Sequence, residues 1–76
     1  MSLLDRITSD PLVMKGKPAI RNMRFSVAQM LELLASGMTA DEILADYPYL
    51  EPEDIQACLA YAAMMANTRT VRKLSA

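Results

Sequence analysis

Apolar residues recur at helical spacing in the chain from residue 27 onward, whereas residues 7–26 show no such period. The first periodic stretch has apolar residues at i, i+3, i+4 and i+7, namely Val27, Met30, Leu31 and Leu34. This spacing is typical of an amphipathic helix, and Gly37 follows where helices commonly end on a left-handed residue. The pattern predicts helix one over about residues 26–36.

A second, shorter helix is predicted over residues 39–47. Thr39 and Glu42 have the spacing of a capping box, in which each side chain accepts a hydrogen bond from the other residue's backbone N–H. The apolar positions that follow are Ala40, Ile43, Leu44 and Tyr47. Pro48 then ends the helix, because proline cannot continue the backbone hydrogen bonds.

The third helix is predicted over residues 52–67. Pro52 suits the first helical position, where its missing N–H would be unpaired in any case. Glu51, Glu53 and Asp54 surround this start, and carboxylates there complement the positive end of the helix dipole.

The third helix is apolar around most of its circumference. One stripe suffices to pack it on the other helices, and its residues are Ile55, Cys58, Leu59, Ala62 and Ala66. Tyr61, Met64 and Met65 lie outside that stripe. A chain of 76 residues has little material to cover a second face, so we expect these three residues to meet another chain, most simply in a homodimer. The alternative is that the N-terminal segment folds over them.

The segment before the helices is predicted to be an extended or hairpin arm over residues 1–25. Pro18 follows Gly16 and Lys17 and indicates a loop, and the β-compatible stretch 19–27 comes next. Within it, Asn22-Met23 is expected to form a tight turn, because Asn tolerates positive φ. Met at the second central position fits poorly.

This order of elements predicts a mainly α fold in a single domain, residues 1–76. Three helices joined by tight turns are typical of helix-turn-helix proteins of the winged-helix or homeodomain-like kind, with the hairpin as the wing. In such proteins the last helix usually reads bases with basic or amide side chains. The acidic first turn of helix three argues against that use, since its carboxylates would repel phosphate.

Composition restricts the chemistry further. There is no His and a single cysteine, Cys58, so zinc sites, His-based catalysis and an internal disulfide are not expected, and we expect no cofactor. No apolar run approaches the ~18 residues of a membrane span. Residues 1–4 are too short for a signal peptide. We therefore expect a cytoplasmic protein that does not bind a membrane.

The net charge of −1 conceals three blocks of alternating sign. Residues 1–27 carry +3, residues 28–67 carry −7 and residues 68–76 carry +3. The basic ends are therefore the candidate surfaces for nucleic acid or an acidic partner. The candidate binding residues are Lys15, Lys17, Arg21 and Arg24 in the arm and Arg69, Arg72 and Lys73 in the tail.

Two roles are open for Arg21 and Arg24. Both side chains could point outward from the turn and bind a phosphate or carboxylate in bidentate fashion. Alternatively, one of them pairs with the acidic helices, for instance with Glu42 or Asp46.

A series of short motifs along the chain resembles the bacterial domain-of-unknown-function family 433. The series comprises Asp10-Pro11, Gly16-Lys17-Pro18-Ala19-Ile20-Arg21, Arg24, Val27, Gly37-Met38-Thr39, Glu42-Ile43-Leu44, Asp46-Tyr47-Pro48-Tyr49-Leu50, Glu53-Asp54-Ile55 and Ala60-Tyr61-Ala62. The family motif falls on Gly16, Lys17, Pro18, Ile20, Arg21 and Arg24. This chain departs from it at Asn22-Met23, where the family usually has Gly-Thr, and at Ser26, where it often has Pro.

The resemblance implies a small helix-turn-helix fold and a role as the antitoxin of a type II toxin–antitoxin module. Its partner would be a nuclease-like toxin of the PIN-like class, and operator DNA would be a second target. The alternative is a protein-interaction module that has the helix-turn-helix shape and no DNA-binding activity. An enzyme is disfavoured, because Glu42 is accounted for by capping and two glycines 21 positions apart cannot form a phosphate-binding loop.

Overall fold

The computed structural model describes residues 2–67, in which three helices follow a two-stranded antiparallel sheet. The helices are α1 (Val27–Ala35), α2 (Ala40–Asp46) and α3 (Pro52–Asn67), and the strands are β1 (Ile7–Thr8) and β2 (Ala19–Ile20). The mainly helical class with an N-terminal hairpin is thus confirmed. None of the helices over residues 2–67 is both long and apolar enough to cross a membrane.

The first two helices begin at side-chain caps. The Ser26 hydroxyl accepts a hydrogen bond from the Gln29 N–H (2.9 Å) at the start of α1. At α2, the Glu42 carboxylate accepts from the Thr39 N–H (2.8 Å) and the Thr39 hydroxyl accepts from the Glu42 N–H (3.1 Å). The expected capping box is therefore present.

The strands β1 and β2 pair with Ile7 opposite Ile20 and Thr8 opposite Ala19. The turn after β2 lies one residue earlier than the sequence indicated. Arg21 and Asn22, with φ of 44° and 59°, are its central residues, and the Met23 N–H donates to the Ile20 carbonyl (2.8 Å). Two positive φ angles are what a primed turn requires, and this placement keeps Met23 out of the left-handed region.

The expected extended arm contains a turn of 3-10 helix at Leu3–Arg6. A capping box between Ser2 and Asp5 starts it, with the Ser2 N–H donating to the Asp5 carboxylate (3.2 Å) and the Leu4 N–H donating to the Ser2 hydroxyl (3.1 Å). This helical turn packs against α3, and its Arg6 contacts Glu51 and Asp54 at the start of that helix. The alternative to the dimer placed the arm over Tyr61, Met64 and Met65, but Met64 and Met65 are exposed.

The core lies where β2, the segment before α1 and the three helices meet. Its fully buried large side chains are Ile20, Phe25, Met30, Ile43 and Cys58. The Phe25 ring meets the Tyr47 ring edge to face, with 4.9 Å between centroids. Leu34, expected in the apolar stripe of helix one, is only partly buried.

The buried face of α3 differs from the stripe expected from the sequence. It consists of Asp54, Ile55, Ala57 and Cys58, and Tyr61 packs partly against the same core. Leu59 and Ala66 were assigned to the packed stripe and are exposed. The assignment was wrong at these two positions because the covered face of α3 includes Asp54 and Ala57, and Asp54 is paired there with Arg6 and Arg21. Met64 and Met65 are 40% and 52% exposed.

Candidate functional site

Arg21 and Asp54 form a bidentate ion pair. The Arg21 Nε donates to Asp54 Oδ1 (3.0 Å) and Nη2 donates to Oδ2 (2.6 Å), while Nη2 also donates to the Tyr49 carbonyl (3.1 Å). The Asp54 side chain is fully buried. The geometry matches the planar fork of a guanidinium to a carboxylate.

Arg6 joins the same cluster from the N-terminal arm. Its Nη1 donates to Glu51 Oε1 (2.7 Å) and to Asp54 Oδ1 (2.9 Å). The Glu51 N–H donates to Asp54 Oδ2 (2.8 Å). Asp54 therefore accepts four hydrogen bonds, and we call Arg6, Arg21, Glu51 and Asp54 the ionic cluster.

The hydrogen bonds of the ionic cluster shift the pKa values of Arg6, Arg21 and Asp54. Burial raises the pKa of the Asp54 carboxyl, but the hydrogen bonds from Arg21, the Glu51 backbone and Arg6 outweigh it, so the pKa lies below its ordinary value. The hydrogen bonds to Asp54 raise the pKa of the Arg21 guanidinium, and those to Glu51 and Asp54 raise that of Arg6. All three groups are charged at neutral pH.

Arg21 is not free to bind a partner, because its guanidinium pairs with Asp54 and fastens the turn after β2 to α3. The pairing with an acidic helix was foreseen, but the partner is Asp54 rather than Glu42 or Asp46. A depression of about 500 Å³ lies beside the cluster, and its remaining charged lining residues are Asp5 and Glu53. Its arginines are already paired, so it does not suit an anion.

Arg6 was not among the predicted site residues, and Asp54 was assigned only to the positive end of the helix dipole. One local signal was available, since Glu51 and Asp54 have the three-residue spacing of a helix cap. The Glu51 N–H to Asp54 hydrogen bond follows from that spacing. The arginines come from 48 and 33 residues away, and no local pattern reveals them.

The loop between the strands, residues 9–18, is held by Asp10. Its Oδ1 accepts from the Leu12 N–H (2.9 Å) and its Oδ2 from Asn22 Nδ2 (3.3 Å). Its carbonyl accepts from the Val13 N–H (2.8 Å) and the Gly16 N–H (3.1 Å). Gly16 takes a φ of +83°, which glycine adopts readily. These hydrogen bonds fix which loop side chains face solvent.

Three of the predicted cations lie together on this loop and the following turn. A depression of about 400 Å³ is lined by Pro11, Leu12, Met14, Lys15, Lys17 and Arg24. Within residues 2–67, no carboxylate forms an ion pair with Lys15, Lys17 or Arg24. We call these three residues the basic patch. Leu12 beside them is 89% exposed, an unusual position for a large apolar side chain.

An apolar groove lies next to the basic patch, between α1 and the second half of α3. Its volume is about 390 Å³, and its apolar lining includes Pro18, Val27, Ala28, Leu31, Tyr61 and Ala62, with Met65 at the same site. Lys17 lines both this groove and the depression of the basic patch. The two depressions therefore adjoin at Lys17.

The remaining predicted site residues are placed as follows. Tyr61 and Met65 lie at the apolar groove, whereas Met64 is exposed and does not line it. An oligomer contact through these three residues stays a prediction. Arg69, Arg72 and Lys73 lie outside the described residues.

Cys58 is buried in the core, and its thiol is unsuited to nucleophilic chemistry. Burial, with a smaller effect from the Asp54 charge, raises its pKa to about 11. The protonated thiol is a poor nucleophile. Between residues 2 and 67, no group of three His, Cys, Asp or Glu side chains is arranged to hold a metal ion.

Comparison with known proteins gives one match. The family model described as "Protein of unknown function (DUF433)" matches residues 7–62, which contain both strands, α1, α2 and most of α3. No curated protein and no solved structure matches this chain.

Proposed function

Since the chain belongs to the family of proteins of unknown function DUF433, we propose that it is an antitoxin-like regulator of a type II toxin–antitoxin module, acting by binding and not by catalysis. Its principal target in this proposal is a nuclease-like partner protein, and operator DNA is the second. The antitoxin role comes from the resemblance described above.

The observation that carries a binding role is the basic patch beside exposed Leu12. Three cations that have no carboxylate partner within the described part of the chain line one depression. They stay available because the acidic start of α3 is neutralised by other arginines, Arg6 and Arg21. Cations whose charge is not balanced within the chain attract an anionic partner over distances of about 10 Å.

Binding of operator DNA is the less supported part of this proposal. The first turn of α3 presents the exposed Glu53, which forms no ion pair within residues 2–67, and its charge opposes base readout by that turn. Contacts to phosphate would have to come from the basic patch. This distribution favours the second candidate function, a protein-interaction module without DNA-binding activity.

Co-expression tests the antitoxin role. The product of the adjacent gene is expressed from an inducible promoter, alone and together with this chain. We expect growth arrest alone, rescue by the chain and co-purification of the two proteins. Absence of any toxic or co-purifying neighbour would contradict the antitoxin proposal.

A salt titration decides between the two candidate functions. Fluorescence anisotropy with a duplex from the upstream region is measured from about 50 to about 200 mM NaCl. Phosphate contacts by the basic patch give an affinity that falls steeply with salt, with a logarithmic slope of about −0.9 for each contact. No binding at the lowest salt supports the interaction module.

A further inference from the structure

The basic patch and the apolar groove meet at Lys17, and this continuity indicates a single docking surface. The groove side is formed by side chains of α1 and α3, such as Ala28, Leu31 and Tyr61. The patch side carries Lys15, Lys17 and Arg24. A partner that covers both must bring apolar side chains and negative charge on one element.

The charges near this surface favour an acidic partner. Asp10 is the only carboxylate of the loop 9–18, and both of its oxygens already accept hydrogen bonds within the chain. The patch therefore keeps an excess positive charge at the rim of an apolar groove. Complementary charge at the edge of an apolar contact steers association and fixes its register.

We propose that this surface binds an acidic amphipathic helix of a partner protein, with its apolar face in the groove and its carboxylates on the basic patch. This inference rests on the proposed function, because it specifies the chemistry by which the regulator recognises its partner. A helix laid in a groove presents anchors at i, i+3, i+4 and i+7, and this mode needs little change in the receptor.

Other occupants match the surface less well. Duplex DNA can neutralise the basic patch but has no aliphatic side chains to fill the groove beside Leu31 and Tyr61. The chain's own residues 68–76 carry +3 and would place like charge on the basic patch. A second copy of the chain could offer its acidic helices, and the cross-linking experiment distinguishes this occupant from a partner helix.

The test uses the full chain and a fluorescein-labelled designed peptide. The peptide has about 15 residues, with leucines at helical spacing on one face and glutamates on both flanks. A matched peptide carries lysine at every glutamate position. Anisotropy is measured at about 50 and about 300 mM NaCl.

We expect the acidic peptide to bind with Kd in the micromolar range and at least about tenfold more tightly than the lysine peptide.

Two sets of variants probe the two parts of the surface. The triple variant Lys15→Glu, Lys17→Glu, Arg24→Glu tests the basic patch, and Ala28→Arg fills the groove. Each should weaken binding about tenfold or more. Ala45→Arg, at an exposed position of α2 that does not line the groove, is the matched control and should bind like the parent.

Photo-cross-linking identifies the occupant directly. Tyr61, whose ring already lines the groove, is replaced by benzoylphenylalanine, and cross-links are mapped by mass spectrometry with the acidic peptide and with a duplex of about 20 base pairs. A cross-link to the peptide supports the proposal. Cross-links to a second copy, to residues 68–76 or to the duplex would each overturn it, as would equal binding of the two peptides or binding of neither. Circular dichroism of each variant separates lost binding from lost folding.

The two proposals fail separately. If the peptide does not bind while the adjacent gene product still co-purifies and is neutralised, the antitoxin role stands and the docking surface is wrong. If the peptide binds as expected and no toxic neighbour exists, the surface is correct and the partner belongs to another system.

Discussion

The guanidinium of Arg21 contacts both carboxylate oxygens of Asp54, at 3.0 and 2.6 Å, across 33 residues of sequence. This pair fastens the turn after β2 to the start of α3. It also stabilises a turn in which Arg21 itself holds a positive φ of 44°, an unfavourable conformation for an arginine backbone.

Replacing Asp54 by Asn should destabilise the domain by about 3–5 kcal/mol. The substitution leaves Arg21 without its anion and Arg6 with Glu51 alone, and removing one partner of a buried ion pair has a cost of that order. Urea denaturation followed by circular dichroism measures the change. Glu53→Gln, at the neighbouring exposed position, is the control and should shift the free energy of unfolding by no more than about 0.5 kcal/mol.

Stability should fall as the pH drops into the acid range. The pKa of Asp54 is lower in the folded chain than in the unfolded chain, so the unfolded state takes up a proton first. The contribution of the ion pair is therefore complete above the unfolded pKa of about 3.9 and disappears as the pH falls through the folded value. Urea midpoints from about pH 7 to about pH 3 check this. Asp54→Asn should show a weaker dependence in that window, and an identical slope would argue against the assignment.

Asn22→Gly should change stability by less than about 1 kcal/mol, whereas Asn22→Val should cost about 1–2 kcal/mol. Glycine adopts the φ of 59° found at Asn22 without strain, and a β-branched residue does not. Thermal melts of the two variants provide the comparison. Equal melting temperatures would show that the turn does not have positive φ at this position.

Truncating one fully buried and one partly buried aliphatic side chain to alanine should lower the free energy of unfolding by different amounts. Ile43→Ala leaves a cavity at a fully buried site and should cost about 2–5 kcal/mol. Leu34→Ala should cost less, because that side chain is only partly buried. Both values come from chemical denaturation. A larger loss at Leu34 would mean that α1 is rotated relative to the orientation described above.

The helices were predictable because their signals are local. The capping pair Thr39 and Glu42, and the apolar spacing from Val27 onward, depend on residues within one or two turns. Helix three was also located correctly, but its covered face was not. That face includes Asp54, whose partners Arg6 and Arg21 come from distant segments that no local pattern reveals.

The candidate site was predictable only in part, for the same physical reason. A basic residue that neutralises a buried carboxylate and one that faces solvent have the same signature in sequence. The structure separates Arg21, which is paired, from Lys15, Lys17 and Arg24, which line one depression. The continuity of that depression with an apolar groove depends on the packing of α1 against α3, which spacing alone does not specify.

The contact of Arg6 with Asp54 links the segment before β1 to α3. A protease that cuts between Arg6 and Ile7 would therefore separate one of the two cations that neutralise a carboxylate inside the fold. Such a cut would weaken the whole domain cooperatively. Resistance to proteolysis would then be governed by a segment that takes no part in the proposed recognition surface.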